Sequence, residues 1–294
     1  GTLKVARIGQ ANDLTYPVDE LWDDARILEY IRSGKHAAAK ALKKASRPMI
    51  VVGQGALIRS DGAAILHAAR AIAEKFKMIR TDWNGFNVLH TAASRAGGLA
   101  LRLTTKSGMD GFNRDARGGK LKALFIHGAD EIDFDGLKKT FKIYLGSHGD
   151  AGAHASDVIL PGAAYSEKNG TYINTEGRIQ RGFRAVFPPG DAREDWTILR
   201  ALSDILGHKL PYDDLAALRA ALAVDLPEIA AGDEFLNAPW GKFGKKGKIQ
   251  AAKLTPALGN FYFTNPIARA SNILLECSDA RGFTKPEGKT GTHG

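Results

Sequence analysis

Apolar residues along this chain follow two rhythms. Unbroken runs of strand length occur at Met49 to Val52, Ala123 to Ile126 and Val158 to Leu160. Elsewhere apolar positions recur every three or four residues, as Ile65, Ala69, Ile72 and Phe76 do on one face of a helix over Asp61 to Phe76. "LKVARI" near the start predicts a strand, helical segments follow at Trp22 to Ile31 and Ala37 to Ala45, and "RPMIVVGQG" is a buried strand running into a glycine turn. Met78 to Arg95 reads as a strand and helix pair. Gly97 to Gly119, polar and glycine-rich, reads as a loop with little regular structure.

The rhythm is sharpest in the middle. "KALFIHGAD" is a strand and turn, Phe134 to Thr140 a short helix, "KIYLGSHGD" another strand and turn, and "SDVILPG" a third strand. This alternation predicts an α/β chain with a doubly wound, mostly parallel sheet, whose ligands would sit at strand C-termini. A long ordered loop follows Pro161, of the kind that is usually functional. Asp191 then predicts an N-cap, with Glu194 completing a capping box before the stripe Trp196, Leu199, Leu202 and Leu206, and Gly207 ends the helix. "PYDDLAALRAAL" is a second helix, and order signals fade from Pro227 to Pro256. Asn265-Pro266 starts a last helix lined inside by Ile267, Ala270, Ile273, Leu274 and Cys277. The expected division is an α/β domain over 1–226, a helical and irregular extension over 227–277, and a disordered tail over 278–294.

Composition narrows the class. The 294 residues, 44% hydrophobic and 25% charged, are those of an ordinary globular protein. No apolar run approaches the ~18 to 20 residues of a membrane-spanning helix, so no direct membrane insertion is expected. The chain starts at Gly1 rather than Met, without a targeting pattern, which reads as a processed, cut or engineered chain. The net charge of +9 looks scattered, and is densest at Lys242, Lys245, Lys246 and Lys248. Nucleic-acid binders concentrate charge on one face, so a basic matrix-type protein or a contact with an acidic subunit is the expectation and nucleic acid is not. With Cys277 the one cysteine, no internal disulfide and no Cys-rich iron–sulfur or zinc centre can form within the chain.

Candidate chemistry is sparse. Gly53 and Gly55 follow a strand as in dinucleotide sites, but Ile58 stands where the third glycine belongs, so a tight turn is the plainer reading. His148, Asp150 and His154 could bind a metal, or Asp150 and the glycines could shape a turn beside solvated histidines. Glu167, Glu176 and Arg178 could clamp a substrate, or form a structural ion pair that holds the long loop. Cys277 reads as a core residue. No Ser-His-Asp, P-loop or H-E-x-x-H pattern is present.

The stretch from "GSHGDAGAHASDVILPG" through "SEKNGTYINTEGRIQ" to "FPPGDAREDWTILRALSDILG" resembles the C-terminal region of the large iron–sulfur subunit of respiratory complex I, in its mitochondrial and alpha-proteobacterial form. That region is similar to the molybdopterin oxidoreductases. The residues that carry the resemblance are Asp157, Pro161, Glu167, Gly170, Asn174, Glu176, Gly177, Arg178, Asp195 and Trp196. "VARIGQANDLTY", "RPMIVVGQGALIRSDGAAIL" and "FYFTNPIARASNILLEC" extend it over Leu3 to Cys277. Gly97 to Gly119 and Pro227 to Pro256 depart from the pattern.

The resemblance implies a molybdopterin-oxidoreductase-type fold without a molybdenum centre, and a motif that is structural. It implies no catalytic, cofactor-binding or metal residue in this chain, the iron–sulfur clusters and FMN belonging to partner chains. The implied role is a non-catalytic scaffold in the peripheral arm. Either the subunit is split into two polypeptides or this is only its second half; the expected partners are the iron–sulfur N-terminal part of the large subunit, as a separate polypeptide in the first case, and other peripheral-arm subunits. The implied location is the matrix side of the mitochondrial inner membrane, or the cytoplasmic face of the bacterial one. The alternatives are a molybdopterin- or nucleotide-binding oxidoreductase fragment and a basic nucleic-acid-binding protein.

Overall fold

The computed structural model describes residues 3–11, 14–230, 232–233, 235 and 239–283. They belong to two units, Gly1–Ala93 with Asn237–Gly259, and Ser94–Leu236 with Asn260–Gly294.

In the first unit β1 (Ala6–Ile8) pairs in parallel with β2 (Asp19–Trp22). Trp22 therefore ends a strand, and the helix expected there begins later, as α1 (Ile27–Ser33). In α2 (Ala37–Lys44) the His36 ring accepts the Ala38 N–H at 3.1 Å and so caps the first turn. Next, β3 (Ile50–Gly53) leads through the short α3 (Gln54–Leu57) into α4 (Gly62–Lys75). The predicted stripe holds, since Ile65, Ala69 and Ile72 are buried. Three short strands follow instead of a strand and helix: β4 (Ile79–Arg80) antiparallel to β5 (Trp83–Asn84), then β6 (Phe86–Leu89) parallel to β3. Ile27, Leu28, Ile31, Ile65, Ile72 and Met78 form the core, joined by Ile249 from the returning segment. That segment lies close along α4: Lys245 donates its N–H to the Ala63 carbonyl at 2.9 Å. Gly244 is left-handed (φ +73°), and a Cβ there would come within 2.4 Å of the His67 nitrogen.

The second unit opens with α5 (Arg95–Ala100) and α6 (Gly108–Arg117), where the sequence suggested a loop. In α6 only Gly111 and Ala116 are buried, so its apolar period is too thin to read. The parallel strands β7 (Ala123–His127), β8 (Phe141–Gly146) and β9 (Val158–Pro161) form a sheet in that order. Between the last two lies α7 (Ala151–Ala155). The long loop after Pro161 contains a hairpin, β10 (Gly170–Ile173) antiparallel to β11 (Ile179–Gly182). Ile173 and Ile179 pack with Ile229, against α5 and the helix α9 that follows α8 (Asp195–Ile205), running Leu215–Asp225.

The capping box does not form. Glu194 itself stands at the N-cap of α8, and its carboxylate accepts the Trp196 indole N–H at 2.9 Å. Asn265 caps α10 (Pro266–Arg269) as predicted, accepting the Ala268 N–H at 2.9 Å, but the chain then breaks and restarts as α11 (Asn272–Ala280). Of the predicted face, Ile267, Ala270, Leu274 and Cys277 are half-buried and Ile273 is 73% exposed, while Ser278 is fully buried. Helix thus runs past 278, where the tail was expected to begin, and residues 284–294 of that expected tail lie outside the described residues.

Alternating helices and strands make this an α/β chain. Among the described residues, however, the strands form five small sheets of two or three strands, and not one doubly wound sheet. The border between units falls inside the expected 1–226 domain, and the expected extension is shared by both units. Charge is segregated too, contrary to its scattered look in sequence. The first unit carries 19 Lys and Arg against 9 Asp and Glu, the second 22 against 23. Among the described residues no helix is long and apolar enough to cross a membrane.

Candidate functional site

The ends of β8 and β9 open into a cleft of about 400 Å³, lined by Ser147, His148, Gly162, Glu167, Pro189 and Asp191 among others. Parallel strands end in crevices of this kind because their connections must leave the sheet there. Gly162 extends β9 by one step, donating its N–H to the Gly146 carbonyl at 3.0 Å, while Ala163 donates to the Arg193 carbonyl at 2.8 Å. A Cβ on Gly162 would come within 2.5 Å of an Asp195 carboxylate oxygen, so a larger residue there would have to displace that side chain.

Asp195 is the electrostatic centre of this edge. Lys168 donates to its carboxylate, and His127 Nε2, at the end of β7, lies 3.4 Å from the same oxygen. Burial pushes the Asp195 carboxyl up, but the hydrogen bonds from His127 and Lys168 and the Lys168 charge together hold it below the ordinary carboxylate value. The cluster is a satisfied ion network. It offers a carboxylate already bound to two donors, not a free nucleophile.

The structure separates the other predicted residues. Pro161 and Glu167 line the cleft, where Glu167 accepts the Ala164 N–H at 2.9 Å. Asp157 sits at the other end of β9: it accepts the Lys142 backbone N–H at 2.7 Å and the Lys142 ammonium at 3.1 Å, which hold its carboxyl low. Asn174, Glu176, Gly177 and Arg178 form the tip of the hairpin that Gly170 begins. There Asn174 Oδ1 accepts N–H bonds from Glu176 (3.0 Å) and Arg178 (2.9 Å), and Gly177 adopts φ +90°. Trp196 binds Glu194 within α8.

Glu167, Glu176 and Arg178 therefore make no clamp. Glu176 and Arg178 do form an ion pair, at 3.7 Å, but Glu176 is largely exposed and the pair joins neighbours of one turn, so it contributes little to holding the loop. Arg178 instead donates to the Asp233 carbonyl at 2.8 Å and stacks 3.8 Å over the Phe235 ring, pinning that segment to the hairpin.

His148, Asp150 and His154 do not converge either, and no cluster suited to a metal occurs among the described residues. His148 pairs with Ser147 at 3.0 Å. Asp150 stands at the N-cap of α7, and its side chain, with Asp130 and Glu131, receives the guanidinium of Arg269, which reaches the loops after β7 and β8 from α10. Asp130 also accepts the Gly152 N–H at 2.9 Å. In the first unit Gly55 meets backbone rather than ligand, since a Cβ there would lie 3.0 Å from the Thr255 carbonyl oxygen. Sequence reasoning missed His127, Lys168, Asp130 and Arg269. The signal available was His127, a polar residue closing an apolar strand.

Residues 1–205 match the family described as molybdopterin oxidoreductase, in keeping with the α/β units and the crevice at the strand ends. The chain belongs to that family. Residues 238–277 match a second family, the C-terminal region of the NADH-ubiquinone oxidoreductase G subunit. The chain is 40% identical over 280 residues to the NADH-quinone oxidoreductase G subunit of Rickettsia conorii, covering 95% of this chain and 40% of the relative. It is 39% identical over 284 residues to the NADH-ubiquinone oxidoreductase 75 kDa subunit of Reclinomonas americana, with the same coverages of 95% and 40%. The chain thus spans about two-fifths of the length of these relatives.

Proposed function

We propose that the chain is a non-catalytic supporting domain of an NADH–quinone oxidoreductase, equivalent to the C-terminal region of its large iron–sulfur subunit. The observation that carries this is the similarity over 95% of the chain to such subunits, reinforced by the second family match at 238–277. In this reading iron–sulfur clusters and FMN reside in partner chains, and electrons do not pass through this one. The partners are the iron–sulfur part of the large subunit and its neighbours in the peripheral arm. The place is the matrix side of the mitochondrial inner membrane, or the cytoplasmic face of a bacterial one.

The chemistry of the cleft supports a site without the family's cofactor. A molybdenum-bound pterin brings phosphate, which calls for cations. The lining instead contributes the carboxylates of Glu167 and Asp191 and no Lys or Arg, while neighbouring Lys168 is held by Asp195. The residues do not fit the group. Two loop segments joined by the Ala185 N–H to the Ser166 carbonyl (2.8 Å) expose Tyr165, Phe183, Val186 and Phe187, which favours burial against a partner.

Gentle detergent extraction and a native gel stained for NADH dehydrogenase activity test the reading. The chain should comigrate with the activity, held by an interface of roughly 2,000 Å² or more. Migration away from it overturns the assignment. Pterin fluorescence released on denaturing the chain would instead establish the cofactor-binding alternative.

A further inference from the structure

The positive charge of the first unit has a focus that the sequence does not reveal. On α2, Ala38, Ala39 and Leu42 face the core, leaving Lys40, Lys43 and Lys44 on the outer side. Just beyond the helix, the Arg47 guanidinium lies 5.5 Å from the centre of the Trp83 ring. Arg80 donates to the Ser46 carbonyl at 3.1 Å, and the Trp83 indole donates to the Pro48 carbonyl at 2.9 Å. Lys77 precedes Met78, whose carbonyl accepts the Gly85 N–H at 2.7 Å. A Cβ on Gly85 would sit 2.3 Å from the Pro48 oxygen, so the 46–48 segment and the β4–β5 hairpin are pressed together. Arg47 and Arg80 thereby come to the end of α2 that carries Lys43 and Lys44, with Lys40 one turn back along the helix and Lys77 just before the hairpin.

Their neutralisation is slight. Asp82 is taken by Arg80 at 3.0 Å, and Arg80, then Arg47, hold its carboxyl low. Glu74, on the last turn of α4 before Lys77, is turned to Trp240 and Arg70. Among the described residues, twelve of this unit's nineteen cations have no ion-pair partner, Lys40, Lys43, Lys44, Arg47 and Lys77 among them. Complementing the α2 dipole explains Lys43 and Lys44, which lie in its last turn, but not the others. A surface kept only for solubility intersperses both signs.

We propose that this corner docks an acidic surface of a partner protein. Its chemistry disfavours the other polyanions. An interfacial helix needs large apolar residues beside its lysines, whereas the outer side of α2 offers only Ala37 and Ala41. Single-stranded nucleic acid needs free aromatic faces, and Trp83 is covered by Arg47 and tied to Pro48. Apart from Arg47, which lies over Trp83, the unpaired cations here are lysines, point charges that suit scattered carboxylates. The proposal deepens the assembly reading above by naming one contact within it.

Zero-length carbodiimide cross-linking of the gently extracted assembly, with lysine acetylation footprinting, tests it. Lys40, Lys43, Lys44 and Lys77 should cross-link to Asp or Glu of another polypeptide, and should acetylate about tenfold more slowly than in the denatured chain. The variant Lys40→Glu/Lys43→Glu/Lys44→Glu should lower the bound chain about tenfold, and the matching Lys→Arg variant should preserve it. Acetylation as fast as in the denatured chain overturns the proposal. So does protection that disappears with nuclease, or with removal of anionic lipid. Cross-links to an acidic protein outside any NADH-oxidising assembly would keep the docking corner and reject the assembly reading, while free lysines inside such an assembly would do the reverse.

Discussion

Removing Arg269 should unbalance the loops after β7 and β8. The guanidinium joins Asp130, Asp150 and Glu131, and side-chain exposures of 13% for Arg269, 1% for Asp130 and 10% for Asp150 place the contact out of solvent. Glu131 is half exposed and adds little. Arg269→Ala would leave two carboxylates facing each other without their cation. Breaking a buried pair from one side costs about 3 to 5 kcal/mol, and we expect a loss in that range by urea unfolding. Burial already pushes the Asp130 carboxyl above its ordinary value, against the pull of the Gly152 N–H and Arg269, so losing Arg269 raises it further. A carboxyl raised in the folded state contributes its stability below the unfolded value and loses it as pH rises through the folded value. The variant should therefore suffer more at about pH 8 than at about pH 5. Adding Asp130→Asn should recover part of the loss by removing one buried charge. Wild-type stability in Arg269→Ala, or a loss independent of pH, would refute the reasoning.

Three further outcomes follow from the geometry. Gly162→Ala should cost about 1 to 3 kcal/mol in thermal or urea unfolding, because the new methyl group would push the Asp195 carboxylate off its contacts with Lys168 and His127. Asp195→Asn should flatten the acid limb of a stability-versus-pH curve. The folded carboxyl is held low, so its contribution is present above the unfolded value and fades as pH falls through the folded one. Arg178→Ala should cost only about 1 to 2 kcal/mol, because the side chain gives up one carbonyl bond and a ring contact rather than a buried ion pair. Proteolysis near Asp233 should accelerate in the same variant; unchanged cleavage would remove Arg178 as the pin.

The sequence alone determined what depends on neighbours in the chain. The runs at Val51, Phe125 and Ile159 became strands, the stripe through Ile65 and Ile72 became α4, and Asn265 capped its helix, because each signal lies within one or two turns of its effect. The motif from Asp157 to Trp196 pointed to the family without any coordinates. Where local signals were thin or rivalled, the reading failed. The polar α6 passed for a loop, the hairpin from Gly170 to Gly182 was hidden in the long loop, and Asp191 looked like a cap that Glu194 displaced. Tertiary structure decided the rest. Arg269 finds Asp150 across 119 positions and Asp130 across 139, Lys168 meets Asp195 across 27, and no periodicity encodes such pairings. The same holds for charge: Arg80 comes beside the segment that follows the lysines of α2 only because the hairpin folds back against Ser46 and Pro48.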